Sequence, residues 1–189
     1  MPPKVKITRE EIVERAIELV REEGVEALNA RNIAARLSCS TQPIFSNFKT
    51  MEELQGEVLA AAYRRYLLYL ENEVKSGKYP RYKSFGMGYI RFAKEEKSLF
   101  RLLFMCDRNG EAVSPTEDWE ASVRMIMESN GVDRRVAEMI HLKGWVTVHG
   151  IATMFATSFL TLDWDLISEI LSDAYNGARM KHLSKEEAK

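Results

Sequence analysis

The sequence predicts an all-α protein, with a small three-helix head at the amino end and a larger helical domain after it. Apolar residues recur at three- and four-residue spacing along most of the 189 residues, and helix-capping motifs precede several of these stretches. No segment alternates apolar and polar residues as a half-buried strand would. We predict about nine helices, with residues 1–50 as the head and residues 51–189 as the second domain.

The composition excludes several classes of protein. A hydrophobic content of 46% with 29% charged residues is ordinary for a soluble globular chain, and no apolar run has the length of a membrane-spanning helix. The opening residues MPPKVKITREE are charged where a signal peptide turns apolar. Cys39 and Cys106 lack the spacing of a redox or zinc motif. We therefore expect a cytoplasmic protein without disulfides and without membrane contact.

Three helices are predicted in the head. Thr8 and Glu11 have the spacing of a capping box at the start of the first helix, and Gly24 ends that helix. A short second helix begins at about Asn29. A third helix lies within the segment STQPIFSNFKTMEEL, residues 40–54.

Longer helices are predicted after the head. Thr50 forms a second capping box with Glu53 and opens a helix that ends near Glu73. A segment rich in glycine, proline and lysine, KSGKYPRYKS, then interrupts the helical pattern. Two shorter apolar helices follow, SFGMGYIRFAKE and SLFRLLFMCD.

Three further helices are predicted near the carboxyl end. Residues 114–117, Ser-Pro-Thr-Glu, form a capping box with proline at the first helical position. Asp133 caps a long helix that ends near Phe159, and a last helix covers about 164–180. The segment HLSKEEAK, residues 182–189, is predicted to be a frayed tail.

The second and third helices, joined by the tight turn Ser-Cys-Ser, match a helix-turn-helix motif. In the third helix, Ile44 and Phe48 are four residues apart and face the other two helices. The remaining surface carries short hydrogen-bonding side chains, namely Thr41, Gln42, Ser46 and Asn47. Amides and hydroxyls of this kind can bind base edges in a major groove. The alternative is that they only solvate an exposed short helix.

Positive charge is concentrated near this helix, although the net charge of the chain is −1. Residues 28–50 carry Arg31, Arg36 and Lys49 and no acidic residue, whereas residues 51–73 carry five glutamates and two arginines. A localised basic surface is typical of a small phosphate-binding face. We expect Lys49 and the first N–H groups of the following helix to bind phosphates.

The segment from Ile7 to Leu54 resembles the DNA-binding region of the tetracycline-repressor (TetR) family. The resemblance lies in the GVEAL entry, the IAARL second helix and the IF…NFKTMEEL passage into the fourth helix. The segment GWVTVHGIATM, residues 144–154, is similar to a Trp-x-x-x-His-Gly element of one branch of such proteins. The resemblance implies a homodimer that binds double-stranded DNA and a small-molecule effector. The DNA-binding residues it implies are Lys6, Arg31, Thr41, Gln42, Pro43, Phe45, Ser46, Asn47 and Lys49.

The sequence departs from the family at three places. Phe45 stands where the family usually has tyrosine, and Asn47 where histidine is frequent. Ser38 occupies a turn position that is often glycine. The DNA contacts that the family makes at positions 45 and 47 are therefore not expected unaltered in this protein. Lys4 is more simply interpreted as a solubilising charge than as a DNA contact.

Aromatic residues and methionines are abundant after residue 80, and most of them are expected in a helical core. Some can line a cavity for an apolar effector. Gly86 and Gly88 thin one helix and leave room for a partner helix or a ligand. His149 shares a helix face with Trp145, and its simpler role is that of a hydrogen-bonded core residue. The candidate effector residues are Phe85, Tyr89, Phe92, Phe104, Trp119, Met127, Trp145 and His149.

No catalytic or metal-binding motif is recognisable. The three histidines and two cysteines lack zinc spacing, and neither a nucleophile elbow nor a phosphate-binding glycine loop is present. We therefore expect no cofactor and no enzymatic activity.

The last two long helices carry more apolar residues than one helix pair can bury, which predicts a four-helix dimer interface. The candidate interface residues are Ile151, Ala152, Phe155, Phe159, Ile167, Ile170 and Leu171. The leading hypothesis is a homodimeric regulator, a repressor released from a near-palindromic operator by an apolar effector. The alternative is an apolar-ligand carrier or protein-interaction module with a vestigial DNA-binding head; an activator would share the same head.

Overall fold

A computed structural model describes residues 7–106 and 117–186. Within these ranges the regular structure is entirely helical and contains no strand, so the predicted all-α fold of about nine helices is confirmed. The helices are α1 (Arg9–Glu23), α2 (Ala30–Arg36), α3 (Gln42–Asn47), α4 (Met51–Lys75), α5 (Arg81–Glu95), α6 (Lys97–Phe104), α7 (Glu117–Asn130), α8 (Arg134–Ala156) and α9 (Trp164–Glu186).

The predicted helix starts are confirmed where the caps are local. The Thr8 hydroxyl accepts the Glu11 N–H, and the Glu11 carboxylate accepts the Thr8 N–H, which completes the capping box of α1. Asn29 and Asp133 cap α2 and α8. Gly24 ends α1 with φ 88°, a value that glycine adopts at little cost because it lacks a Cβ.

Other boundaries differ from the prediction. Helix α9 continues six residues past Met180, to Glu186, so residues 182–186 of the predicted frayed tail belong to a helix. Helix α5 begins at Arg81, inside the segment predicted to interrupt the helices, because Pro80 is tolerated just before a helix. The predicted start at residues 114–117 and the arm residue Lys4 lie outside the described ranges, apart from the first residue of α7, Glu117.

The chain forms two compact units whose boundary falls within α4, between Leu67 and Leu68. The first unit contains the described residues up to Leu67 together with Glu96–Cys106, and so includes α6 as well as the head. The second contains Leu68–Glu95 and the described residues from 117 onwards. In the described ranges, no helix has both the length and the apolar character that a membrane span requires.

A buried carboxylate joins three elements of the first unit. The Glu96 side chain, 3% exposed, accepts hydrogen bonds from the Nε of Arg21 in α1 at 2.7 Å and the Nε of Arg65 in α4 at 2.8 Å. Glu96 also precedes α6 directly, and its carbonyl accepts the Phe100 N–H. A charge buried to this degree is tolerated only with such partners, so Glu96 ties α1 and α4 to the start of α6.

The second unit is a helical bundle in which α8 packs against α5, α7 and α9. Gly86 and Gly88 allow α5 to approach its neighbours. A Cβ on Gly88 would lie 3.0 Å from the backbone of Leu70 in α4, and one on Gly86 would lie 3.0 Å from the Val148 side chain of α8. Both glycines therefore serve helix packing rather than a ligand.

Candidate nucleic-acid interface

Helix α3 has the two-sided character that the sequence predicts. Ile44 is fully buried and Phe48 is 1% exposed, so these two side chains anchor the helix to the first unit. Gln42 and Ser46 are exposed. Helical spacing places Ile44 on a different side of α3 from Gln42 and Ser46, whereas Phe48 directly follows the helix as its C-cap residue.

A salt-bridge cluster around Arg9 fixes the carboxyl end of α3. The guanidinium of Arg9 donates to the Asn47 carbonyl at 2.8 Å and to the carboxylates of Glu53 and Glu57 at 2.9 and 3.1 Å. It also lies over the Phe48 ring. The hydrogen bond with Glu53 is the main cause that raises the pKa of Arg9. Arg9 was not predicted as a site residue, since a single arginine near a helix start carries no distinctive signal.

Two of the predicted base readers use their donors in hydrogen bonds to backbone carbonyls. The Asn47 amide donates to the Pro43 carbonyl at 2.8 Å and to the Ile7 carbonyl at 3.3 Å. The Ser46 hydroxyl donates to the Gln42 carbonyl at 2.9 Å. Asn47, which the sequence placed at the flank of the outer face, is half-buried, and its amide nitrogen is engaged by backbone carbonyls. Ser46 keeps an acceptor on the surface but has its proton engaged.

Phe45 is 49% exposed on α3. Thr41 and Pro43 are half-buried beside it, and Gln42 is exposed. Thr41 is the N-cap residue of α3, but no side-chain hydrogen bond caps the helix. The outward surface of α3 therefore combines one large apolar side chain with one amide.

The cations near α3 are not equally available. Arg31 and Lys49 are exposed. Arg36 instead forms ion pairs with Glu22 at 2.6 Å and Glu23 at 2.7 Å, and its pKa is raised chiefly by the Glu22 hydrogen bond. Its charge is thus locally neutralised. Lys6 lies outside the described ranges.

The start of α4 is less suited to phosphate than predicted. The Thr50 hydroxyl accepts the Glu53 N–H as expected, but the Glu53 carboxylate accepts the Lys49 N–H at 2.7 Å. This backbone hydrogen bond is the main cause that lowers the Glu53 pKa. A carboxylate bound at this end repels phosphate, so the predicted binding of phosphate to these N–H groups is not supported, whereas the Lys49 side chain remains exposed.

A cleft of about 630 Å³ lies beside α3 within the first unit. Gln42 and Pro43 line one part of it, and the acidic residues Glu11 and Glu14 of α1 line another. Carboxylates disfavour phosphate. Arg15 also lines the cleft, but its guanidinium is paired with Glu18, so this side of α3 is a poor site for phosphate.

The turn before α3 contains a residue in the left-handed region. Ser38 has φ 51°, a conformation that glycine adopts easily and that costs a serine free energy. The position is the one at which the TetR resemblance would lead us to expect glycine.

The predicted effector residues do not surround one site. In the second unit, the Tyr89 hydroxyl and His149 Nδ1 are 2.9 Å apart, and the Trp145 ring stacks on His149 with centroids 5.1 Å apart. This confirms that Trp145 and His149 share a helix face. Phe92 is fully buried against Tyr69.

The remaining candidates lie elsewhere. Trp119 and Met127 pack on a different apolar cluster, Phe85 is half-buried on α5, and Phe104 belongs to the first unit, where it contacts Tyr66 and Phe100. Spacing along one helix cannot show which of several clusters an aromatic residue joins.

Sequence reasoning missed a buried polar pair in the second unit. His141 Nδ1 lies 3.0 Å from the Tyr82 hydroxyl. The Trp119 ring contacts the imidazole in an edge-to-face arrangement, with ring centroids 4.3 Å apart. Burial lowers the pKa of His141 to about 4 and raises the pKa of Tyr82 above its usual range. A Cβ on Gly144 would lie 3.0 Å from the Tyr82 hydroxyl. In the sequence, His141 and Gly144 are three residues apart and so share a face of α8, which could have indicated a side chain packed at this place.

The predicted dimer residues are mostly buried inside the subunit. Five of the seven are buried, Ile170 is half-buried, and Phe159 is 81% exposed; the buried five are Ile151, Ala152, Phe155, Ile167 and Leu171. For these five buried residues the prediction was wrong, because it counted one helix pair, whereas α5 and α7 also cover α8. Ile170 and Phe159 stay a prediction. The exposed apolar residues of α8 are Met139, Leu142, Trp145 and Val146.

Among the described residues, no group of three or more histidine, cysteine, aspartate or glutamate side chains could hold a metal ion. No protein-family model and no curated protein matches the sequence. The chain is similar in structure to a protein from Rhodococcus sp. RHA1 that is described as having unknown function, with a TM-score of 0.67 and 20% sequence identity over 92% of this chain and 94% of that one. At this identity the likeness establishes the shared helical fold, and the TetR resemblance stays a prediction.

Proposed function

We propose that the protein is a homodimeric DNA-binding transcriptional regulator of the cytoplasm, a repressor released from its operator by a small, largely apolar effector. The observation that carries the proposal is α3, whose apolar side is buried at Ile44 and Phe48 while Gln42 and Phe45 face outward. A recognition helix needs a buried anchor of this kind and an exposed face without acidic residues. The resemblance of residues 7–54 to the TetR family supports the same function.

The contacts divide by chemistry. Gln42 can form two hydrogen bonds with one base edge, whereas Arg31 and Lys49, both exposed, suit phosphates. Thr41 and Ser46 offer hydroxyl oxygens at the edge of the helix. Phosphate contacts would supply most of the affinity and base contacts most of the selectivity.

The dimer would form through apolar side chains that the isolated subunit leaves in water. Met139, Leu142 and Val146 follow one another on α8 at spacings of three and four residues, which places them on one face. A stripe of this kind is typical of a symmetric helix-pair interface. Two-fold symmetry would then set two α3 helices to read a near-palindromic site in successive major grooves.

The effector would bind in the second unit, close to Tyr89, Trp145 and His149. These residues bring two aromatic rings, a hydroxyl and an imidazole within contact distance, which suits an apolar ligand with one polar group. Release of DNA requires that the effector bind the DNA-incompetent conformation more tightly.

A carrier or interaction module with a vestigial head is the second candidate. The neutralisation of Arg36 by Glu22 and Glu23 favours it, because it leaves few cations close to α3. Salt dependence separates the candidates. A regulator should lose affinity steeply as salt rises, by about one logarithmic unit of Kd per logarithmic unit of salt for each phosphate contact, whereas a carrier should retain no DNA.

The test is to select duplexes from random and genomic DNA with the purified protein, and to measure their affinity by fluorescence anisotropy. Gln42→Ala should reduce the preference for the selected sequence about tenfold or more per half-site. Lys49→Ala should weaken all duplexes alike and lower the salt dependence. Gln55→Ala, which removes an exposed amide from α4, serves as the matched control. Absence of any retained duplex would refute the proposal.

A further inference from the structure

We infer that Phe45 reads the methyl group of a thymine, and that Gln42 reads an adenine close to it, so that each half-site contains a T and an A at the contacts of α3. The inference rests on the proposed function and deepens it, because it specifies which bases the same surface recognises. It is based on which side chains of α3 are available to contact DNA.

Fewer polar side chains of α3 are available to bind bases than its sequence suggests. The Ser46 proton is engaged by the Gln42 carbonyl, and the Asn47 amide by the carbonyls of Pro43 and Ile7. The Gln42 side chain, by contrast, is exposed. Gln42 is therefore the side chain of α3 best placed to both donate and accept at one base edge.

An amide that both donates and accepts is matched by adenine. In the major groove adenine offers an amino donor beside the N7 acceptor, whereas guanine offers two acceptors and cytosine a single donor. A glutamine can satisfy the adenine pair with two hydrogen bonds. Gln42 thus favours an A·T pair over the alternatives.

Phe45 strengthens the same preference through a different force. About half of its side chain is exposed, although the ring has no polar atom that could bind a phosphate or a base edge. Among the four bases, only thymine offers an apolar group, its 5-methyl, to the major groove. Contact with this methyl removes apolar surface of both partners from water, which is favourable, whereas contact with an amino or carbonyl edge would desolvate a polar group.

The two side chains are close enough to read neighbouring bases. Residues 42 and 45 are three apart, so their side chains leave the helix on adjacent parts of its surface. Ser46 lies on the other side of Gln42 around the helix, and its proton is already bound. The geometry points to one continuous contact surface, in which an amide and a ring act on bases of the same half-site.

The test uses duplexes selected by the wild-type protein from a random library. In the selected duplex each thymine is replaced in turn by deoxyuridine, which removes the methyl and keeps the base pair, and each adenine by 7-deazaadenine, which removes N7. One deoxyuridine position per half-site should weaken wild-type binding about fourfold, the value of one apolar carbon removed from water. One 7-deazaadenine position should weaken it about fivefold or more.

Matched variants assign the effects. Phe45→Ala should become insensitive to deoxyuridine at that position, and Phe45→Leu, which keeps an apolar contact, should stay sensitive. Gln42→Ala should become insensitive to 7-deazaadenine. Because both positions are exposed, the variants should keep the wild-type helical circular dichroism.

The outcomes are distinct. If the wild-type protein retains no duplex, the proposed function fails and the inference falls with it. If the protein selects a sequence, but no deoxyuridine weakens binding, or Phe45→Ala is as sensitive as the wild type, the inference alone is overturned. If Phe45→Ala loses the sensitivity to deoxyuridine and Gln42→Ala loses the sensitivity to 7-deazaadenine, the inference is supported.

Discussion

The guanidinium carbon of Arg9 lies 4.1 Å from the centre of the Phe48 ring, so the first residue of α1 covers the buried side chain that directly follows α3. The same guanidinium donates to the Asn47 carbonyl and to Glu53. Arginine can make these contacts together because its planar group stacks on a ring while its N–H groups point outward. Arg9 thus holds the end of α3 against α1 and α4.

Replacing Arg9 should weaken DNA binding without removing a phosphate contact. We expect Arg9→Met and Arg9→Lys each to raise Kd about tenfold for every duplex, since ordering even one freed residue on binding costs about this factor. The measurement is the affinity of selected and unrelated duplexes over a range of salt. The slope of log Kd against log salt should stay at the wild-type value. A normal affinity for Arg9→Lys, together with a smaller slope for Arg9→Met, would show that Arg9 binds phosphate instead.

The helix starts could be predicted because their causes are local. Thr8, Asn29 and Asp133 each bond an N–H three residues ahead, and this spacing is legible in the sequence. The buried back of α3 was legible for the same reason, since Ile44 and Phe48 are one turn apart. Patterns confined to one or two helical turns were sufficient for these features.

Features that depend on distant residues could not be predicted. The Asn47 amide turns inward partly because the Ile7 carbonyl, 40 residues earlier, accepts from it. The apolar faces of α8 were assigned to a dimer because nothing in the sequence shows that α5 and α7 cover them. His141 was overlooked because its partner, Tyr82, is 59 residues away.

The exposed apolar face of α8 predicts a dimer that one charge can disrupt. Val146 is 57% exposed, more than the other apolar side chains of this face. Val146→Arg should raise the dimer dissociation constant roughly a hundredfold, because a buried arginine without a partner carries a desolvation cost. Sedimentation equilibrium measures the effect. The control is Leu68→Arg, which places the same charge on a 55% exposed leucine of α4 and should leave the mass unchanged. Equal dissociation of both variants would contradict this interface.

The backbone of Ser38 predicts a stabilising substitution. Its φ of 51° lies in the left-handed region, where a Cβ costs roughly 1 kcal/mol and glycine does not. Ser38→Gly should therefore raise the free energy of unfolding by about 0.5–1 kcal/mol, measured by urea denaturation with unchanged slope. Ser40→Gly, two residues on and not at positive φ, should lower the free energy of unfolding instead. A loss of stability in Ser38→Gly would show that the serine has a role beyond its backbone.

The buried His141 predicts that the second unit loses stability in mild acid. Burial lowers the pKa of His141 to about 4 in the folded protein, whereas an unfolded histidine titrates near 6.5. Between these pH values the unfolded chain binds the proton and the folded chain does not. The contribution of the neutral His141 to the free energy of unfolding is therefore complete above about pH 6.5 and is lost as the pH falls towards 4.

From pH 7 to pH 5 the expected loss is about 2 kcal/mol of unfolding free energy from this residue. Carboxylates also titrate below pH 6, so the informative quantity is the difference between the wild type and His141→Gln, measured by urea denaturation at each pH. The variant has no imidazole to protonate and should lose about 2 kcal/mol less over this interval. His149→Gln is the matched comparison, because burial also lowers the pKa of His149 but that side chain is only half-buried; its effect should be smaller. If His141→Gln loses as much stability as the wild type, His141 is already protonated in the folded protein or exposed to water at pH 5.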